Sequence, residues 1–255
     1  GRGGSDRSHR RLREVVMVSQ TALTVVLLIR AGLLLKSFVT LRQIDLGLDP
    51  RQVLTVDLLL SKRNADPSRR DQFLRDVLDA VRRLPGVQSA GLQTDSALDG
   101  GGSRETFPID GRPDPAPDAG HPAAANLIGG DLLEALGVVL VRGRLFDAGD
   151  TPQSLPVAIV NETMARQFWP GDDPIGKRLR LYYDRDPRRW ISIVGVVRDA
   201  RFRYEQAAPQ ILLPALQRPY QSLPYANPPY VLVVVRMSGE TARSGRALLP
   251  GSWCM

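Results

Sequence analysis

At 255 residues with 43% apolar side chains, the chain is long enough for one or two packed domains, and its formal charge of +7 invites a nucleic-acid reading. The make-up of that charge excludes it. Lysine occurs only at 36, 62 and 177, many arginines are interspersed with acidic residues, as with Asp at 69–76 and 184–189, and no aromatic-interleaved basic face appears, so no nucleic-acid partner is expected.

Residues 1–14, with Arg7, Arg10, Arg11 and Arg13, read as a basic linker on the cytoplasmic side of a membrane. Residues 15–35, VVMVSQTALTVVLLIRAGLLL, then read as a transmembrane helix, about 30 Å long at 1.5 Å per residue. Ser19, Gln20, Thr21 and Thr24 soften its first half. Arg30 is placed in its last turns, where the long stem snorkels to the interface. After the apolar run there is no small-x-small cleavage site, only Arg30-Ala31-Gly32 and more leucine, so a retained anchor with an extracytoplasmic main domain is expected. Leu34, Phe38, Leu41 and Ile44 continue the helical spacing as a stalk over 36–47, which Gly47 and Pro50 end.

From 48 to 236 the pattern is that of one folded domain. Leu54, Val56, Leu58 and Leu60 alternate as a strand. Asp66-Pro67 opens a helix whose stripe of Phe73, Leu74, Val77, Leu78, Val81 and Leu84 stops at Pro85-Gly86, and 87–94 is the next strand. Residues 95–121 are loop-rich, with Gly100-Gly101-Gly102, the PDPAPD run at 113–118, and a short strand at 106–109 between them. A short helix over 131–136, closed by Gly137, leads to a strand at 138–141.

A second α/β unit follows. Strand 156–160 runs into Asn161, a helix cap with Glu162 in the first turn, and Trp169-Pro170-Gly171 ends that helix. Further strands are expected at 178–183 and 190–197 around a charged hairpin, then at 210–213 and 230–236. Phe168, Trp169 and Trp190 read as core, and Tyr220, Tyr225 and Tyr230 as loop decoration. The tail 237–255 has no periodicity.

Residues 171–178, GDDPIGKR, fit the start of a phosphate-binding loop, but Arg178 stands where Ser or Thr should hold magnesium, and a helix precedes it, not a strand. The segment therefore reads as a turn into a strand, and no ATP hydrolysis is expected. Cys254 is the sole cysteine and His9 and His121 are the only histidines, which excludes an internal disulfide, a cysteine cluster and a histidine metal site. Without H-E-x-x-H or G-x-S-x-G, no catalytic, cofactor or metal residue is assigned, and the chain does not read as an enzyme.

Several stretches together resemble the MacB/FtsX-type permeases of ABC transporters, and in particular the MacB-like periplasmic core domain. They are QTALTVVLLIRAGLLLKSF (20–38), LDPRQVLTVDL (48–58), LPGVQSAGL (84–92), LGVVLVRGRLFDAGD (136–150), PVAIVNETMARQFWPGDDPIGKRLR (156–180), WISIVGVVRDAR (190–201) and QILLPALQRP (210–219). The resemblance implies an α+β chain: one transmembrane helix, then a mixed α/β domain of two βαβ-like units with an inserted β-rich lobe. It also implies a bacterial inner-membrane permease subunit without catalysis of its own. Such a subunit takes no cofactor, contacts membrane lipid, and works with a separate ABC ATPase, the remaining permease helices and a periplasmic partner protein, as a dimer in the intact transporter.

Gly143, Arg144, Asp150, Asn161, Glu162, Pro170, Gly171, Pro174, Gly176 and Gly195 carry over as fold-defining positions, not as an active site. Arg30 departs from the small or apolar residue usual there. The family's three further membrane helices do not follow, and ARSGRALLPGSWCM does not resemble the family's continuation. The expectation is a fragment of a duplicated permease, truncated or frame-shifted. A complete single-span sensing or binding module is the alternative.

Overall fold

The computed structural model describes residues 5–42, 47–60, 67–93, 103–114, 123–181, 189–200, 208–215, 217 and 230–238. The chain divides into two units, residues 1–45 and 46–255. The expectations placed on Asp66, on 94–102 and 115–122, on the hairpin at 184–188, on Tyr220 and Tyr225, and on the tail beyond 238 lie outside the described residues.

The first unit is helix α1, Ser5–Arg42, 38 residues without a break. Residues 5–14 of the expected linker are helical within it. That stretch is rich in Arg, with Leu and Glu, holds no Gly or Pro, and has no reason to stop short of the apolar run. Met17–Val39, 23 residues, is long and apolar enough to cross a membrane. The hydroxyls of Thr21 and Thr24 donate back to the carbonyls of Met17 (2.9 Å) and Gln20 (2.8 Å), so these two polar side chains are satisfied within the helix.

The second unit is built on one ten-stranded mixed sheet. In chain order its elements are β1 (Val53–Leu59), α2 (Pro67–Arg82), β2 (Val87–Gln93), β3 (Ser103–Glu105), β4 (Ala123–Gly130), α3 (Leu132–Ala135), β5 (Leu140–Gly143), β6 (Val157–Asn161), α4 (Glu162–Phe168), β7 (Arg178–Leu179), β8 (Ile191–Val197), β9 (Gln210–Pro214) and β10 (Tyr230–Met237). The strand order is β1-β10-β2-β4-β9-β6-β8-β5, with β3 beside β4 and β7 beside β8.

Both α/β units are present, and the first is split. Thr55 of β1 and Gly91 of β2 both lie opposite Val234, so β10 slides between two strands that run the same way. Its sequence, YVLVVVRM, explains the place: a run apolar at consecutive positions suits a strand covered on both faces. In the second unit β6 and β8 pair directly and in parallel. β3, within the loop-rich stretch, pairs with β4, where no strand was expected, and both join the common sheet. Three local expectations shift: the insertion strand lies at 103–105 with Ile109 making only an isolated bridge to Leu179, β5 starts two residues late, and β7 is two residues long.

Alternation along the central strands produces two cores. Ala158, Val160, Ile211, Leu213, Val231, Val233 and Val235 pack with Leu74, Val77 and Leu78 of α2 and with Met164 and Phe168 of α4. Their neighbours Ile159, Leu212 and Val234 point the other way, onto Leu132, Leu133 and Leu136 around α3. Phe107 stacks edge-on against Phe168 at 5.0 Å between centroids, and Trp169 is buried beside them. Trp190 is half-buried, with the guanidinium groups of Arg178 and Arg180 over its ring at 5.9 and 5.6 Å.

Candidate functional site

Two places in the sheet domain concentrate specific geometry. The first is where the chain enters it, at residues 47–52. Gly47 adopts φ +66°, and a Cβ there would sit 1.9 Å from the carbonyl oxygen of Asp199, so only glycine fits. Two residues on, the Asp49 amide donates to the Leu136 carbonyl at 2.8 Å. Arg236 of β10 reaches across with Nη2 on the Asp49 carbonyl and Nε on the Ala135 carbonyl, both at 2.9 Å. Arg51 Nε donates to Asp49 Oδ1 at 2.9 Å, and this bond is the main cause holding the Asp49 carboxyl below its ordinary pKa. Met237 N closes the segment on the Gln52 carbonyl at 2.8 Å.

Asp199 carries the connection onward. Its carboxylate accepts from the Thr163 amide (2.8 Å) and hydroxyl (2.7 Å) and from Arg166 (3.0 Å), at the start of α4. Beside it Asn161, 1% exposed, fills the cap role expected of it and does more. Its Oδ1 accepts from Met164 N at 3.1 Å and from Gln210 N at 2.9 Å, while its Nδ2 donates to the Ala208 carbonyl at 2.9 Å. Glu162 stands half-buried in the first turn, the favourable end of the helix for a carboxylate.

The second place is the loop after β5. Gly143 pairs with Gly195 of β8, and neither has room for a side chain: a Cβ would sit 2.1 Å from Val194 O and 2.3 Å from Arg144 O respectively. That close approach seats Arg144, whose Nη1 and Nη2 grip Asp150 Oδ2 and Oδ1 at 2.8 Å each. Asp150 Oδ2 also accepts from Asp147 N at 3.0 Å, and the carboxylate side chain is 5% exposed. These hydrogen bonds, Arg144's first, hold the Asp150 carboxyl below its ordinary range and raise that of the guanidinium.

The turn that follows α4 lies alongside. Pro170 and Gly171 end the helix, Pro174 is buried, and Gly176 N donates to Ile193 O at 2.8 Å. Lys177 Nζ bonds Asp172 at 2.7 Å, which lowers the Asp172 pKa, and β7 follows at once. The phosphate-loop pattern is thus a lysine-latched turn between a helix and a strand, as expected.

So Gly143, Arg144, Asp150, Gly195 and the 174–176 turn come together, while Asn161 and Glu162 belong with Asp199 and the junction. The sequence reading missed Arg236, Asp199 and the buried Gln217, whose Oε1 accepts from Val157 N at 2.9 Å and whose Nε2 donates to the Leu155 carbonyl at 2.7 Å. Each acts across a separation of at least 36 residues, and local patterning carries no signal for that. Among the described residues no group of three or more His, Cys, Asp or Glu is placed to hold a metal ion.

The sequence matches the MacB-like periplasmic core domain over residues 16–245. No curated protein matches it. Among solved structures it is similar to the periplasmic region of MacB from Actinobacillus actinomycetemcomitans, at 17% identity and TM-score 0.48, covering 81% of this chain and 85% of that one. It is similar also to the extracellular domain of the noncanonic ABC-type transporter YknZ from Gram-positive bacteria, at 14% identity and TM-score 0.47, covering 75% and 88%. A third is a domain described as that of a permease protein from Porphyromonas gingivalis, at 22% identity and TM-score 0.43, where the match spans 63% of this chain and 66% of that one.

Proposed function

Since this chain belongs to the family of MacB-like periplasmic core domains, we propose that it is a non-catalytic permease subunit of an ABC-type transporter. On this reading α1 holds it in a bacterial inner membrane with the N-terminus cytoplasmic, and the sheet domain stands outside. That domain couples ATP hydrolysis by a separate ATPase to extracytoplasmic work or efflux. Further permease helices, a periplasmic partner and a second copy complete the assembly.

The observation that carries the coupling role is the stitching of residues 47–52. Within six residues the chain is tied to Asp199, Leu136, Arg236 and Met237, and so to α4, α3 and β10. A close-packed interior transmits a displacement of that segment instead of absorbing it. Reconstitution in lipid vesicles with an ABC ATPase that co-purifies with the chain tests the proposal. Adding the full chain should change ATP turnover severalfold, and Gly47→Ala should remove that effect. Turnover indifferent to the chain would count against coupling and leave an anchored sensing or binding module.

A further inference from the structure

Helix α3 is a single turn, and the entry segment holds it by its far end. Ala135 O accepts from Arg236 Nε at 2.9 Å, and Leu136 O accepts from the Asp49 amide at 2.8 Å. Its near end bears on a fixed point. A Cβ on Gly91 of β2 would sit 2.3 Å from Leu132 Cα, so helix and strand meet backbone to backbone. The Asp131 side chain does not cap the helix, because its carboxylate bonds Arg82 of α2 at 2.7 Å.

The helix also has clearance. A cavity of about 10 Å³, room for one methyl group or one water, is lined by Leu132, Leu133 and Val138, with Val197, Ala200 and Leu212 completing its wall. Protein interiors hold few gaps of that size, and side chains lining one lack contacts on that side. The chain beyond α3 leads straight to the edge of the sheet. Val138 N donates to Leu133 O at 2.8 Å, Arg198 N donates to Val139 O at 2.9 Å, and β5 ends the strand order with Val139 and Val141 exposed. A held end, a close contact and a gap thus belong to one turn of helix.

We infer that α3 is a rocker. Displacement of residues 47–52 tilts it on the Leu132–Gly91 contact, the cavity takes up Leu133 and Val138, and the exposed start of β5 moves with them. The inference deepens the coupling proposed above and rests on it.

Hydrogen exchange of the full chain in lipid vesicles tests it. Val197→Ile adds one methyl to the cavity wall, and Arg236→Met releases the Ala135 carbonyl. In the parent chain the amides of residues 135–138 should exchange about a hundredfold faster than those of β6, which packs in the same core. Val197→Ile should slow them about tenfold and Arg236→Met quicken them about tenfold, with β6 unchanged in both. Exchange of residues 135–138 at the β6 rate in the parent chain overturns the rocker. ATP turnover with the co-purifying ATPase separates the two claims. Val197→Ile should lose most of the parent chain's effect. An effect unchanged by Val197→Ile overturns the rocker alone, whereas a parent chain without effect overturns the coupling and the rocker with it.

Discussion

Gly47 packs so closely on Asp199 that a Cβ at position 47 would sit 1.9 Å from the Asp199 carbonyl oxygen. The obstacle is backbone, which cannot swing aside as a side chain would, and the φ of +66° adds its own penalty for any L residue. Gly47→Ala should therefore cost about 2 kcal/mol or more of domain stability. Urea denaturation followed by tryptophan fluorescence measures it, with buried Trp169 as the reporter.

The Arg144–Asp150 clamp gives a prediction with a pH signature. Removing the guanidinium with Arg144→Ala strands a nearly buried carboxylate, at a cost of about 1–3 kcal/mol, reduced from the fully buried case because Arg144 is 44% exposed. Asp150 has its folded pKa depressed, with Arg144's hydrogen bonds as the first cause. Its contribution is therefore present above the unfolded carboxyl value, near pH 4, and is lost as pH falls through the folded value. Unfolding measured between about pH 2 and 5 should show a shallower stability loss in Asp150→Asn than in the parent chain.

Asn161 holds three backbone groups from two places in the chain, Met164 and the 208–210 segment. Asn161→Ala should cost about 2–4 kcal/mol, more than an ordinary cap, because two partners besides the helix lose their bond. Asn161→Asp keeps the acceptor for Met164 and Gln210, and turns the bond to the Ala208 carbonyl into a repulsive oxygen–oxygen contact. Hydrogen exchange should then show the Met164 and Gln210 amides protected in Asn161→Asp and exposed in Asn161→Ala.

Much of this was legible in the sequence where periodicity is strong and local. The stripe of α2, the Asn161 cap, and β6, β8 and β10 stand within a residue or two of expectation. β4 was not legible, although it lies in the middle of the sheet. Its AAANLIGG is short of the β-branched and aromatic residues that mark strands, and its burial comes from neighbours distant in sequence. The placing of β10 between β1 and β2 is a long-range fact of the same kind. Of the candidate site, the Gly143–Arg144–Asp150 loop came from one quoted motif. The junction did not, because Gly47 reads as a helix stop until Asp199 is seen against it.

The central claim is that α1 crosses a membrane, with the arginine-rich end inside and the sheet domain outside. Labelling of intact cells by a membrane-impermeant maleimide tests it most directly, using Cys254→Ser with a single new cysteine. The two positions are Leu155→Cys, at a side chain 81% exposed on the sheet domain, and Ser8→Cys, ahead of the span. The account expects Leu155→Cys to react in intact cells and Ser8→Cys to react only after lysis. Labelling of Ser8→Cys alone in intact cells, or of neither variant before lysis, would contradict it.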